Sequence, residues 1–312
     1  MNILKIVVYK IMIETNIKKL VTHNGSFHAD DIFATATLSL LLEKKGESFK
    51  IIRTRDPEII KEGDYVYDVG GIYDEKTNRF DHHHKDFKEK RENGIMYSSF
   101  GLVWKKFGGE ISDSKEVADL IDKRLVSPID ANDNGIDLID LKIEDVFPYN
   151  IESFFSSMRP SWSEDNSNLD HMFFECVKIA KKILLREIVY AKDRILAQEK
   201  VNEIYEKTKD KRIIILDGDY SHQPTYSNFK DLIYVIYPRI SDNFWTVKAI
   251  REDEKKFKNK KSLPISWGGI RDEELQKITG VEDAIFCHRA LFMAVAKTKE
   301  GAIKLANLAL SV

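Results

Sequence analysis

Apolar and polar positions in the first half of the chain switch repeatedly between the period of a strand and that of a helix. The β-branched runs KKLVT (18–22) and FKIIRTR (49–55) predict strands, and YVYDVGG (65–71) predicts a third that ends at Asp68. Between the first two, the Ala- and Leu-rich run at 31–42 predicts a buried helix. Strands that alternate with helices in this way are typical of an α/β layer with a largely parallel sheet.

Three further segments complete this half. A strand is predicted at 78–84, and helices are predicted at 98–107 and 114–129. The polar clusters fall at the ends of the predicted strands. Ligand sites in open α/β sheets gather outside the carboxyl ends of the strands, so we expect a functional site there.

The second half of the chain has a different pattern. Residues 171–209 repeat apolar positions at three-and-four spacing without Gly or Pro, which predicts one long helix or two. From residue 212, β-rich runs separated by turns lead to a terminal helix, a pattern that indicates an α+β domain. We therefore expect an α/β domain at 18–150, a helical connector at 151–210 and a smaller α+β domain at 211–312.

The composition is that of a globular chain. Its 312 residues are 43% hydrophobic, and no stretch approaches the ~20 apolar residues of a membrane span. Lys5, Lys10 and Glu14 interrupt the apolar start, which lacks a small-residue cleavage site, so we expect a cytoplasmic protein. An organelle presequence is the alternative, because the start is amphipathic. Cys176 and Cys287 lack the spacing of a zinc ribbon or a disulfide framework.

The charge balance gives no general attraction to nucleic acid. Lysine and arginine together number 49 against 51 acidic residues, a net charge of −2. A polyanionic substrate would therefore have to be held by a local basic patch or by metal ions. The basic run at 251–261 is the candidate patch, and a solvated surface loop is its alternative interpretation.

Histidines and carboxylates are concentrated together in the first half of the sequence. A single histidine at a turn is more often a surface residue than a ligand, and Asp30 or Asp31 could simply cap a helix. Three such clusters, all at predicted strand ends, favour a metal site instead. Carboxylate and imidazole bind Mn²⁺ and Mg²⁺, and two ions bridged by a carboxylate would activate water and hold phosphoryl oxygens. The sequence predicts a metal-dependent phosphoester hydrolase with the candidate ligands His23, His28, Asp30, Asp68 and His82.

Two other functions stay open on this evidence. The same metal chemistry would serve a small substrate, such as pyrophosphate or a dinucleotide. A protein of a different class, a non-catalytic binding protein stabilised by metal, would also need the same ligands.

A second group of candidate residues lies near the end of the chain. Trp267-Gly268-Gly269 predicts a turn that a ligand can approach closely, and Arg271 beyond it could pair with phosphate. His288 ends a short apolar strand. The alternatives are a structural Gly-Gly turn and a histidine at the edge of the core. Trp267 could stack on a base, although tryptophan more often packs in a partly buried position.

Eight motifs are spread in order over residues 18 to 312. They are Thr22-His-Asn-Gly-Ser-Phe-His-Ala-Asp-Asp31, Arg53-Thr-Arg-Asp-Pro57, Tyr67-Asp-Val-Gly-Gly71, Arg79-Phe-Asp-His-His83, Ser98-Ser-Phe-Gly-Leu102, Asp130-Ala-Asn-Asp-Asn-Gly135, Trp267-Gly-Gly-Ile-Arg-Asp-Glu-Glu-Leu275 and Phe286-Cys-His288. These motifs resemble those of the MYG1 proteins, which belong to the DHH phosphoesterase superfamily. The resemblance implies an N-terminal DHH-type domain, a second domain, and an active site in the cleft between them. It also implies dependence on two divalent ions, Mn²⁺ or else Mg²⁺, and 3′ to 5′ exonuclease activity on RNA.

The resemblance also implies which residues bind metal. The first motif of the superfamily falls on His23, His28 and Asp30, and the second falls on Asp68, which becomes the bridging carboxylate. The usual first motif has Asp where His28 stands. A neutral imidazole at that position lowers the negative charge of the site, which bears on its metal preference.

The third and fourth motifs complete the implied site. In the triplet at 81–83, His82 is the implied ligand, Asp81 orients it, and His83 faces the substrate phosphate. The fourth motif falls on Asp130 or Asp133, of which we favour Asp130.

The resemblance extends to the C-terminal residues and to the substrate. It favours a substrate-binding role for Arg271 and His288 over the structural alternatives. The implied partner is single-stranded RNA or a short oligonucleotide, and no membrane partner is expected.

Overall fold

The computed structural model describes residues 17–143, 145–221, 225–226, 228–253 and 258–312. The chain divides into two compact units, the first ending at Ala191 and the second comprising Lys192–Val312. The division falls inside a single long helix, which spans Leu169–Lys207. The boundaries predicted at residues 150 and 210 stay predictions, and the chain start, on which the expected location partly rested, lies outside the described residues.

A five-stranded sheet forms the centre of the first unit. Its strand order is β2-β1-β3-β5-β4. Strand β1 pairs in parallel with β2 and β3, β3 pairs in parallel with β5, and only the edge strand β4 is antiparallel. The strands are β1 Lys18–Thr22, β2 Phe49–Arg53, β3 Tyr65–Tyr67, β4 Tyr73–Asp74 and β5 Arg79–Phe80.

The helices of this unit follow the apolar runs. Helix α1 (Ala29–Lys45) is buried continuously from Ala29 to Leu42, and it ends at Gly46 in the left-handed conformation. It packs against α3 (Ser99–Ser112). The helix predicted at 114–129 is two helices joined by a π turn, and it extends to Asp133. The remaining helices are α2 Pro57–Lys61, α4 Lys115–Ile121, α5 Ser127–Asp133 and α6 Ile151–Ser157.

The second unit has a mostly antiparallel sheet. After α7 (Leu169–Lys207), the strands assemble in the order β6-β7-β8-β10-β9, in which only the β6–β7 pair is parallel. The predicted fold class, a largely parallel α/β sheet, a helical connector and a smaller α+β domain, is confirmed. The elements are β6 Ile213–Ile215, β7 Tyr234–Pro238, β8 Trp245–Ala249, α8 Asp272–Thr279, β9 Ala284–Cys287, β10 Met293–Ala296 and α9 Lys299–Ser311.

Candidate metal centre

The parallel strands of the first unit bring three polar segments to one edge of the sheet. His23 directly follows β1, Asp68 directly follows β3, and Asp81 directly follows β5. These three strands are hydrogen-bonded neighbours. Because the carboxyl ends of parallel neighbours meet at the same edge, residues distant in the sequence lie within contact distance there. The N-terminus of α1, which begins at Ala29, reaches the same place.

Four potential ligand atoms lie close together at this edge of the sheet and form no hydrogen bonds with one another. His23 Nε2 lies 3.2 Å from Asp68 Oδ2 and 3.3 Å from Asp31 Oδ2, and His28 Nδ1 lies 4.0 Å from Asp68 Oδ2. All four atoms are buried, and none has a hydrogen-bond partner within the described part of the chain. Buried polar atoms are almost always paired, so this set fits a shared cation. His23, His28 and Asp68 form one of the candidate metal groups of the described residues, and Asp31 adds a carboxylate oxygen beside His23. Imidazole nitrogens and carboxylate oxygens suit a divalent metal ion.

The orientation of His23 supports this interpretation. Its Nδ1 lies 3.1 Å from the carbonyl oxygen of Asn24, which can only accept, so Nδ1 carries the proton. In the neutral ring, Nε2 then directs a lone pair toward two carboxylates, which is unfavourable unless a cation or a proton lies between them. Burial lowers the pKa of His23, but the neighbouring carboxylates of Asp68 and Asp31 outweigh burial and raise it. A ligating histidine held by a backbone carbonyl is the usual arrangement at metal sites.

Asp31 belongs to this group although the sequence indicated only a helix cap. It does cap α1, because its Oδ1 accepts the backbone N–H of His28 at 2.8 Å. Its Oδ2 is the unpartnered atom that faces His23. Complete burial raises the pKa of Asp31 to about 7. The side chain therefore caps the helix with one oxygen and places the other beside His23.

A second group comprises Asp30, His82 and Asp133. His82 Nε2 lies 3.1 Å from Asp133 Oδ2. Asp30 accepts the backbone N–H groups of Phe100 at 2.6 Å and Ser99 at 3.2 Å, so it also binds the N-terminus of α3. Burial, reinforced by the carboxylates of Asp133, Asp68 and Asp130, raises the pKa of Asp30 well above its usual range.

Asp68 is shared between groups of potential ligands. Its Oδ2 faces His23, while its Oδ1 lies 3.4 Å from Nδ1 of His83. Its backbone adopts the left-handed conformation with φ of 56°, which few residues other than Gly, Asn and Asp tolerate. Burial raises the pKa of Asp68, but the three histidines around it, His23, His82 and His83, outweigh burial and lower it. An ionised carboxylate between two ligand groups has the placement that a bridging ligand requires.

Asp81 contacts a different histidine from the one expected. Its Oδ1 accepts from Nδ1 of His83 at 2.8 Å and from the backbone N–H of His83 at 3.0 Å, and its Oδ2 accepts from Gly71 N–H at 2.6 Å. Asp81 therefore orients His83 rather than His82. The side chain of His83 remains 60% exposed, and the hydrogen bond with Asp81 raises its pKa. His83 is thus fixed at one nitrogen and open to solvent.

Asp130 does not join the three groups of potential ligands found among the described residues. Its carboxylate accepts hydrogen bonds from Arg91 Nη1 at 2.6 Å, Ser98 Oγ at 2.5 Å and Gly101 N–H at 3.1 Å. These donors draw the side chain toward α3 and occupy it. Asp133, one helical turn later, reaches His82 instead. These contacts favour Asp133 over Asp130 as a ligand beside His82, and the choice between the two stays a prediction.

Comparisons with known proteins show the family of the chain. A family model described as "Uncharacterised protein family (UPF0160)", with the short name MYG1 exonuc, matches residues 19–310. The chain belongs to the MYG1 family. It is 30% identical to the MYG1 protein of Schizosaccharomyces pombe over 95% of this chain and 98% of that protein. It is 27% identical to the human protein named MYG1 exonuclease, over 93% of this chain and 85% of that one.

Solved structures resemble the chain only remotely. The RecJ protein of Thermus thermophilus in complex with Mn²⁺ is 12% identical with a TM-score of 0.26, and the match covers 97% of this chain and 54% of RecJ. An exopolyphosphatase-related protein of Bacteroides fragilis is 13% identical with a TM-score of 0.25, over 98% of this chain and 95% of that one.

No helix in the described part of the chain is long and apolar enough to cross a membrane.

The C-terminal motifs of the MYG1 family lie in the second unit. Arg271 pairs with Phe286 in an antiparallel bridge, and its guanidinium lies 4.7 Å from the centre of the Phe286 ring. His288 follows β9, and its Nδ1 accepts the backbone N–H of Ala290 at 3.0 Å. Both side chains therefore belong to one small region. Trp267 is only 4% exposed and packs in the core of this unit, so it is not available for base stacking.

Proposed function

We propose that this member of the MYG1 family is a metal-dependent phosphodiesterase that removes nucleotides from the 3′ end of RNA. The observation that carries the metal dependence is the convergence of His23 Nε2, His28 Nδ1, Asp31 Oδ2 and Asp68 Oδ2 without hydrogen-bond partners among the described residues. The exonuclease activity is supported by the names of relatives. The RNA substrate and the 3′ to 5′ direction are carried over from the resemblance of the motifs.

The residues divide into two ligand sets that share Asp68. His23, His28, Asp31 and Asp68 would hold one ion. Asp68 would also serve the second set, in which we place Asp133 instead of Asp130. Imidazole in both sets favours Mn²⁺ over Mg²⁺, which prefers oxygen ligands. Divalent ions bound there supply activation of water and stabilisation of phosphoryl oxygens. The second set is the group Asp30, His82 and Asp133, to which we add Asp68 because it shares another candidate group with His82.

Other side chains act on the substrate. His83 is exposed, and its Nδ1–H donates to Asp81, so Nε2 can donate to a phosphate oxygen when the ring is protonated. When protonated, the ring also offers a positive charge to the phosphoryl group as negative charge develops there. We assign Arg271 and His288 to the binding of substrate phosphate in the second unit. Arg271 presents a fork of donors that matches a phosphate.

The test follows a 5′-labelled single-stranded RNA with added Mn²⁺. We expect a ladder that shortens from the 3′ end with wild type and no ladder with His82→Ala. His171→Ala is the matched control, because His171 lies on α7, outside the candidate metal centre, and its side chain is 69% exposed. Its activity should equal that of wild type.

The results that contradict the proposal are specific. Degradation by His82→Ala at the wild-type rate would remove His82 from the site. Products that shorten from the 5′ end would overturn the direction. If folded, Mn²⁺-loaded wild type hydrolyses only dinucleotides or pyrophosphate, the small-substrate alternative is correct.

A further inference from the structure

A basic depression lies in the second unit, outside the eight motifs that resemble those of the MYG1 family. It has a volume of about 580 Å³ and is lined mainly by charged side chains. Five cations against the two carboxylates of Asp210 and Asp231 leave a formal excess of three positive charges. The cations that line it are Lys209, Lys211, Arg212, Lys230 and Lys260.

Two lysines of the depression are held in place by backbone carbonyl groups and still have an N–H donor available. Lys211 Nζ donates to the carbonyl oxygens of Tyr205 and Glu206, and Lys260 Nζ donates to those of Phe229 and Lys230. An ammonium group has three donors, so each keeps one for a ligand.

Arg212 is also held in place, in this case by a carboxylate. It pairs with Asp210 through Nε at 2.9 Å and Nη2 at 2.7 Å, which leaves Nη1 uncommitted. Cations that are already ordered lose little side-chain entropy when an anion binds. The depression is therefore prepared for an anion.

The sheet topology relates this depression to Arg271 and His288. Tyr234 at the start of β7 pairs with Ile213 at the start of β6 and with Ala249 at the end of β8. Lys248 near that end pairs with Met293 at the start of β10, and Ala294 pairs with Cys287 at the end of β9. The residues that precede β6 and β7 thus lie at the same strand-end edge of the sheet as His288.

The edge is long enough for several phosphates. Strands β6 and β9 are the two outer strands, separated by four steps across the sheet. At ~4.8 Å per step, the depression beside β6 and the residues beside β9 are roughly 19 Å apart. One mononucleotide cannot contact both ends, whereas an extended strand of several nucleotides can.

We propose that the depression binds backbone phosphates of single-stranded nucleic acid several nucleotides away from the phosphate at His288. This inference rests on the proposed function for the identity of the polyanion. It assigns the second unit a binding role that depends on substrate length. The basic run at 251–261, predicted as the candidate patch, contributes Lys260 to the depression, and the other cations come from residues 209–230.

The test measures binding without turnover. Fluorescence anisotropy in EDTA compares an RNA of about 12 nucleotides with a dinucleotide, since a groove of this kind spans several nucleotides. The variant Lys209→Gln/Lys230→Gln removes two exposed charges, and within the described part of the chain neither ammonium group makes a hydrogen bond or ion pair. The control is Lys277→Gln/Lys297→Gln. Lys277 lies in the last turn of α8 and Lys297 follows the end of β10, so both belong to the opposite edge.

The expected effect follows from counterion release. Loss of two contacts to a single strand lowers the slope of log affinity against log salt by about 1.4, or roughly 25-fold in affinity at about 0.1 M relative to 1 M salt. The dinucleotide and the control variant should show no change. Equal affinity and equal slope for wild type and both variants would overturn the inference, as would equal weakening by the control variant.

A second readout separates this inference from the proposed function. Hydrolysis of a dinucleotide with Mn²⁺ should be unchanged in Lys209→Gln/Lys230→Gln. If that hydrolysis proceeds but binding is insensitive to the depression, the inference fails and the function stands. If the depression binds RNA but wild type hydrolyses no phosphodiester, the function fails and the depression is a nucleic-acid site of another activity.

Discussion

The ion pair between Arg91 and Asp130 allows a sharp prediction about stability. The side chain of Asp130 is completely buried and that of Arg91 is 8% exposed. Arg91 also binds Asp122, and its guanidinium lies 4.1 Å from the centre of the Tyr97 ring. The change Arg91→Met keeps an unbranched side chain against Tyr97 but leaves Asp130 without its counterion. Removing one partner of a buried pair costs about 3–5 kcal/mol, of which we expect the lower end.

The lower end is expected because Asp130 can take up a proton. Burial raises its pKa to about 7 even with Arg91 present, so near pH 6 most of this carboxyl is already neutral. A carboxyl whose pKa is higher in the folded than in the unfolded state destabilises the fold as pH rises through both values. Loss of Arg91 raises the folded-state pKa further. The free energy of unfolding should therefore fall by about 3 kcal/mol near pH 8 and by roughly half of that near pH 6.

Urea denaturation in EDTA, followed by circular dichroism, measures the difference. A shift of the midpoint at constant slope reports stability alone. Arg124→Met is the control, because Arg124 is 67% exposed and its pair with Glu187 is a surface ion pair worth less than ~1 kcal/mol. Adding Asp130→Asn to Arg91→Met should restore most of the loss. A midpoint shift that is the same at both pH values, or that Asp130→Asn does not relieve, would refute the reasoning.

Two further predictions concern the metal centre itself. Asp68→Asn should lower Mn²⁺-dependent turnover by about a thousandfold or more. The circular dichroism spectrum should stay unchanged, because Asn adopts the left-handed conformation at φ of 56° as readily as Asp. Retention of activity would remove Asp68 as a ligand. Mn²⁺ affinity, measured by calorimetry, should rise with pH between 6 and 8, because metal ligands bind in the deprotonated form and burial raises the pKa of Asp31 to about 7. Asp31→Asn should weaken this dependence of affinity on pH. An unchanged dependence in this variant would exclude Asp31 from the site.

Local sequence determined much of the first unit. Periodicity and β-branched runs located β1, β2, β3 and α1, since these depend on which side chains face the core. The placement of polar clusters at strand ends, which follows from chain order in a parallel sheet, predicted where His23, Asp68 and Asp81 meet. The family motifs added roles that spacing alone could not supply.

Tertiary structure decided the partners of individual side chains. Asp130 and Asp133 lie one helical turn apart, and only the positions of Arg91 and Ser98, far away in the sequence, show that Asp130 is occupied. Asp81 bonds to His83 rather than His82 because the backbone turns after Asp81 and brings the N–H and the ring of His83 to its carboxylate. Such contacts are set by angstrom-scale geometry, which periodicity does not record.

The second unit shows the same division between local pattern and assembled surface. Its strands and terminal helix are visible as apolar runs, and the Gly-Gly turn after Trp267 is visible as a motif. The burial of Trp267 depends on packing against residues from several strands. The basic depression forms only when residues 209–212, 230 and 260 meet at one sheet edge. Sequence determines which charges exist, but the sheet topology decides which of them act on the same ligand, because electrostatic attraction depends on distance in space.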